Sequence, residues 1–163
     1  MSRLLTVAAT MTLLAGCASV NPRPAFDDMR KTVAERSMLD PKWSRTSEET
    51  SAAEQAVTNL LAAPLTVDAA VQIALLNNPT LQATFEEIGI SQADLAQAAR
   101  VENPGLSGFA RFPSQGSGSN IELSLVQNVF DIFIQPLRKN VAAAELEQTK
   151  LRVANETLAL AAQ

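Results

Sequence analysis

The sequence predicts a mainly α-helical chain interrupted by a single β-hairpin, and three observations carry that prediction. Two long stretches, 79–100 and about 134–163, repeat apolar residues at helical spacing on two opposite faces. Between them, Ile121, Leu123 and Leu125 alternate with Asn120, Glu122 and Ser124, the period-two pattern of a strand with one apolar and one polar side. The composition agrees. Among 163 residues, 47 % are hydrophobic but only 4 % aromatic, with no tyrosine and one tryptophan, which favours long, closely packed helices over an aromatic-rich globule.

The N-terminus reads as a targeting segment. Arg3 precedes an apolar run from Leu4 to about Leu14, closed by Leu14-Ala15-Gly16-Cys17. A cationic start, a short apolar stretch and small residues before a cut mark a bacterial secretion signal. Leu-Ala-Gly-Cys in that place resembles a lipobox, whose cysteine becomes the new N-terminus and carries lipid; the alternative is an ordinary signal with an incidental cysteine. The expected division is a signal peptide over 1–16 and lipidation at Cys17, with two or more acyl chains needed for durable anchoring. Residue 18 is Ala rather than Asp, which in Gram-negative lipoproteins implies export to the outer membrane. Cys17 is the only cysteine, so no disulfide forms within the chain.

Residues 17–64 read as a leader. Pro22, Pro24 and Pro41 among mixed charges allow a short helix over Ala25 to Met38. Ser47 to Leu61 is a second helix with Glu48 and Glu49 in its first turn, where carboxylates favour the positive end of the dipole, and Pro64 follows it. Thr66 is a good N-cap for a helix over 67–76, Asn77 and Asn78 stop it, and Pro79 opens the next at N1. In the helix over 79–100, Leu81, Phe85, Ile88, Leu95 and Ala99 form one seam, while Ala83, Ile90, Ala93 and Ala96 crowd another face.

Asn103-Pro104-Gly105 breaks that helix. Strands are expected over about 105–112 and 120–129, joined by the polar loop Pro113 to Ser119. The second is about the ~9 to 11 residues of a membrane β-barrel strand, whose apolar groups face lipid and polar groups face water. That assigns Ile121, Leu123 and Leu125 to lipid and Glu122 and Ser124 to the lumen; a water-facing sheet on a soluble core would show the same alternation. Pro136 fits the first turn of a final helix over about 134–163. There Leu137, Ala144, Leu151 and Leu158 recur every seven residues, and Leu146, Val153 and Leu160 form a second series on the opposite side. Helices apolar on opposite faces suit a closed ring of helices. The last helix runs in phase to Ala162 without a stop signal, so the expectation is an incomplete piece of a longer protein, the alternative being an assembly subunit.

The strings LTVDAAVQIALLNNPTLQA, EEIGISQADLAQA and VENPGL resemble the start of the outer membrane factor, or TolC, family, lipoprotein branch. Its opening motif matches Leu65, Thr66, Val67 and Ala70; its Asn-Pro run matches Ala74, Leu75, Asn78, Pro79 and Leu81; Asn103 and Pro104 precede the hairpin. Ala69 departs from the Glu of many members, removing the capping-box partner of Thr66 at about 0.5 kcal/mol. The resemblance covers about residues 65–163 as the N-terminal part of an outer membrane efflux protein domain. It implies long coiled-coil-like helices of an α-barrel, two strands of a trimeric outer-membrane β-barrel, and only the first structural repeat. It further implies a homotrimer in the full-length family, a leader wrapping the barrel, contact with outer-membrane lipid, and a periplasmic adaptor and inner-membrane pump as partners. The expected function is the outer-membrane channel component of a tripartite efflux or export system.

Other classes find little support. With net charge −4 and no basic block, nucleic acid is not an expected partner. There is no histidine, cysteine cluster or phosphate loop, so no enzyme, cofactor or metal is expected. Adjacent Glu86 and Glu87 point about 100° apart on a helix and read as a solvated face. Met29 and Met38 lack any other soft ligand for a metal. The rival reading is a periplasmic coiled-coil lipoprotein acting as adaptor or structural tether, which explains Cys17 and the heptads but not the strand alternation.

Overall fold

A computed structural model of the chain describes residues 19–112 and 118–163. Cys17 and most of the loop before Ser119 lie outside the described residues. The described residues form α1 (Arg23–Ser37), α2 (Ser47–Leu61), α3 (Val67–Asn77), α4 (Pro79–Ala98), β1 (Gly105–Arg111), β2 (Asn120–Val126) and α5 (Val129–Ala161). The architecture is mainly helical, with one two-stranded antiparallel sheet.

Local chemistry fixes the helix ends. The Thr46 hydroxyl accepts the Glu49 N–H while the Glu49 carboxylate accepts the Thr46 N–H, a complete capping box at the start of α2. The Arg45 N–H and the Arg23 guanidinium also donate to that carboxylate and hold Glu49 below the usual carboxylate range. At α3 the Thr66 hydroxyl accepts the Ala69 N–H at 3.2 Å, and alanine returns no second bond. Asn78 serves two helices, closing α3 through its N–H and opening α4 by accepting from Thr80 and Leu81. α1 ends at Met38, left-handed at φ 57.

Element boundaries differ from the sequence expectation where distant contacts intervene. α1 begins at Arg23, with Pro24 in its first turn, rather than at Ala25. β2 ends at Val126 rather than about 129, and α5 starts at Val129 rather than about 134. Pro136 is therefore inside the helix instead of in its first turn, and the Ile132 carbonyl loses its helical donor. Polar contacts to the segment after α4, described below, hold the added turns in place.

α4 and α5 run antiparallel. Along their contact Thr84 donates to Glu156, Ser91 meets Thr149, and Arg152 bridges Glu87 and Glu156. α1 lies along α5 in the same direction, with Asp28 paired to Lys150 near its start and Ser37 and Leu39 beside Leu158 and Ala162 at its end. The core is the junction of these three helices: Phe26, Met29 and Val33 from α1, Leu81, Phe85 and Ile88 from α4, and Leu146, Val153 and Ala154 from α5, with Leu75 and Trp43. Phe26 stacks edge-on against Phe85 at 5.1 Å and tilts against Trp43 at 5.2 Å.

Trp43 anchors the connection between α1 and α2. Its indole N–H donates to Glu86 Oε1 at 2.9 Å, and the guanidinium groups of Arg23 and Arg45 sit 5.6 and 4.7 Å from its ring. Gln82 completes the attachment by accepting the Ser44 N–H and donating to the Lys42 carbonyl. α2 itself contributes no fully buried residue and lies over a cleft of about 320 Å3 floored by Phe26, Trp43 and Leu76. The leader is thus a helix and a tryptophan packed on the long pair.

Phe85 is fully buried at the centre of this junction. Phe85→Ala is expected to cost about 3–5 kcal/mol and to loosen α1, read in urea unfolding by circular dichroism and by a red shift of Trp43 fluorescence.

Candidate functional site

The hairpin is the first element of the candidate site. Its register pairs Leu106 with Leu125, Gly108 with Leu123 and Ala110 with Ile121; between these, Ser107 faces Ser124, Phe109 faces Glu122 and Arg111 faces Asn120. Directly opposed residues of antiparallel strands project to the same side. One side is therefore apolar at every position from Leu106 to Ala110 and from Ile121 to Leu125. The other carries Ser, Arg, Asn and Glu with Phe109. Ile121, Leu123 and Leu125 do share a side, and Glu122 and Ser124 the opposite one.

Both sides are open. Leu123 is 80 % exposed and Leu106 76 %. Gly108 leaves room for its partner, since a Cβ there would come within 3.1 Å of Leu123 Cδ2. A two-stranded ribbon is marginal in water on its own, and a continuous exposed apolar side is rare on soluble monomers. The hairpin therefore has the character of an edge that requires an apolar surrounding or further strands.

A polar waist ties the hairpin to the helices. Gln127 Nε2 donates to the Glu102 carbonyl at 3.2 Å, Asp131 Oδ2 accepts the Glu102 N–H at 3.0 Å, and Gln135 Nε2 donates to the Ala99 carbonyl at 2.8 Å. Asp131 and Gln135 lie one turn apart on α5 and Gln127 just precedes it, so the three line the entry into the helix. Asp131 is 5 % exposed and also accepts from Arg138 one helical face below. A buried carboxylate is costly unless paired, and here both oxygens are used. Arg138 Nε is buried without a partner among the described residues. The spacing of Gln127, Asp131 and Gln135 within an otherwise apolar run is the one sequence signal that marks this entry.

The long helices distribute their seams unequally. Leu81 and Ile88 are buried and Leu95 is half-buried. On α5 the buried positions are Ala142, Leu146, Val153, Ala154 and Thr157, so the series Leu146, Val153 and Leu160 makes the internal contact. Of the other series, Leu137, Ala144 and Leu151 are exposed and only Leu158 is half-buried. Leu137, Ala144 and Leu151 do not pack within the chain, because α1 and α4 both lie against the opposite side, while Leu158 packs at the edge of the core. Ile90 on α4 is likewise 62 % exposed.

Glu86 and Glu87 are more than a solvated face, since Trp43 and Arg152 occupy them. Met29 is core and Met38 is exposed. Among the described residues no group of three His, Cys, Asp or Glu could hold a metal ion, and no helix is long and apolar enough to cross a membrane.

Set against known protein families, curated proteins and solved structures, the chain matches none.

The waist predicts a specific defect. Asp131→Ala removes the acceptor for Arg138 and the Glu102 N–H, and is expected to cost about 2–3 kcal/mol, with Asp131→Asn costing less because it keeps an acceptor. Amide hydrogen exchange at Glu102 should rise in step with the loss of stability.

Proposed function

We propose that this chain forms part of the wall of an export channel in the outer membrane of a Gram-negative cell, lipid-anchored through Cys17 and projecting its helices into the periplasm. The observation that carries the reading is the hairpin whose apolar side is continuous and wholly exposed, set at one end of a helix pair that shows a second apolar stripe of its own. In that reading Ile121, Leu123 and Leu125 contact lipid while Glu122 and Ser124 line water. The stripe of Leu137, Val141, Ala144 and Leu151 then packs against neighbouring helices in a ring of copies, matching the trimer of the TolC family that the sequence resembles.

The leader supports the same orientation. α1 runs parallel to α5, so its start points toward α4's exit to the hairpin, and Pro22 lies against Gly89. From Gly89 to the end of α4 at Ala98 is ~14 Å of helix. Cys17 to Pro22 spans at most ~18 Å of extended chain. A lipid on Cys17 can therefore reach the level at which α4 ends, on the hairpin side of the helix pair. α5, at 33 residues, is about 50 Å long and directs the rest of the wall away from the membrane. The function is mechanical, with the periplasmic adaptor and inner-membrane pump of a tripartite system as partners; the exported substrate is left to the pump.

Paired substitutions in the full chain expressed in a Gram-negative cell test this. Leu123→Arg is expected to cost about 2–4 kcal/mol of membrane insertion near the bilayer midplane, whereas Ser124→Arg is tolerated. Cys17→Ser should abolish palmitate labelling. Equal tolerance of the two arginines would remove the barrel assignment and favour a periplasmic tether.

A further inference from the structure

We propose that the groove at the waist, where α4 leaves for the hairpin and α5 returns, seats the headgroup of an amine-bearing zwitterionic glycerophospholipid; this rests on the reading that the hairpin lies in a membrane. The groove measures about 780 Å3 and is lined by Asp94, Gln97, Arg100, Glu102, Asn103 and Arg138 among others. It gathers two guanidinium groups and two carboxylates on one concave surface. Among the described residues the side chains of Arg100, Asp94 and Glu102 form no ion pair. A phosphate is met by guanidinium groups through paired, charge-assisted hydrogen bonds, and a primary ammonium by carboxylates. A headgroup carrying both charges matches the groove; one carrying only an anion leaves Asp94 and Glu102 opposed to it.

Arg138 is already in position for such a ligand. Asp131 holds one of its nitrogens, and Asp131 is itself fixed by the Glu102 N–H, while the side chain remains 41 % exposed at the groove. A cation held by buried partners loses little freedom on binding. The acyl chains also have a path. Phe130 and Ile134 lie one turn apart on α5 between β2 and Arg138, both exposed, and Ile134 sits one turn before Arg138. A headgroup in the groove places its chains along this stripe toward β2, where the apolar side of the hairpin continues. Such a seat would fix the depth at which the strands enter the bilayer.

Water-soluble short-chain lipids test the seat without requiring insertion. The full chain in detergent is titrated by native mass spectrometry with dihexanoyl phosphatidylethanolamine, phosphatidylcholine and phosphatidylglycerol, and with phosphoethanolamine alone. The ethanolamine lipid is expected to bind most tightly, because the choline ammonium donates no N–H and the glycerol headgroup carries no cation. Arg100→Ala should weaken it about tenfold, the loss of one charge-assisted contact. Asp94→Asn should erase the preference for ethanolamine over choline and tighten the glycerol lipid, whose anion then meets one opposing carboxylate fewer. Equal affinity for the three lipids, unaltered binding in Arg100→Ala, or phosphoethanolamine binding as tightly as the lipid would overturn the proposal. Failure of the channel reading shows instead in the Leu123→Arg and Ser124→Arg pair.

Discussion

Two antiparallel helices can bury one stripe apiece against each other, and α4 and α5 each carry two. That constraint governs the rest of the structure. The internal contact takes Leu81, Phe85 and Ile88 from α4 and Leu146 and Val153 from α5, and α1 covers the groove between them with Phe26, Met29 and Val33. The opposite stripe, Leu137, Val141 and Leu151, is left in the open together with Ile90. Burying a leucine side chain is worth roughly 1.5–3 kcal/mol, so an uncovered stripe of this length represents an unused driving force for association. The hairpin repeats the theme in β geometry, with one side of the ribbon apolar and uncovered.

The interior that does close is held by a small set of directional contacts. Phe26, Phe85 and Trp43 supply the aromatic volume, and Glu86, Gln82 and Glu49 fix the segment that delivers Trp43 to the helices. Exposed ion pairs such as Arg30 with Asp40 add little to stability, even though Asp40 is held below its ordinary range by the guanidinium beside it. The buried aromatic junction carries more. At the other end, the Asp131 clasp turns a flexible exit from α4 into a defined corner, which allows the hairpin to leave at a fixed angle.

Much of the fold was legible because its determinants are local. Thr66 marks the start of α3 through a hydrogen bond to the N–H three positions on, Glu48 and Glu49 mark the first turn of α2, and the alternation from Asn120 to Leu125 states the two sides of β2 outright. The start of α5 was not legible, since Val-Phe-Asp-Ile-Phe-Ile has strand-like composition and Pro136 imitates a first-turn residue. Only the long-range bonds from Gln127, Asp131 and Gln135 to the segment 99–102 decide for helix. The choice of internal seam on α5 was equally hidden, because two seven-residue series have the same spacing and it is α1, through Val33 and the Asp28–Lys150 pair, that selects one. The leader's attachment depends on Trp43 meeting a helix some forty positions away, which no local pattern encodes.

The central claim is that the two sides of the hairpin meet different media. Spin labels placed singly by Asn120→Cys through Val126→Cys, in the full chain assembled in outer-membrane vesicles, report this through collision with oxygen, which partitions into lipid, and with a water-soluble nickel chelate. A period of two is expected, with oxygen contact high at 121, 123 and 125 and chelate contact high at 122 and 124. Uniformly high chelate contact along the strand would contradict it.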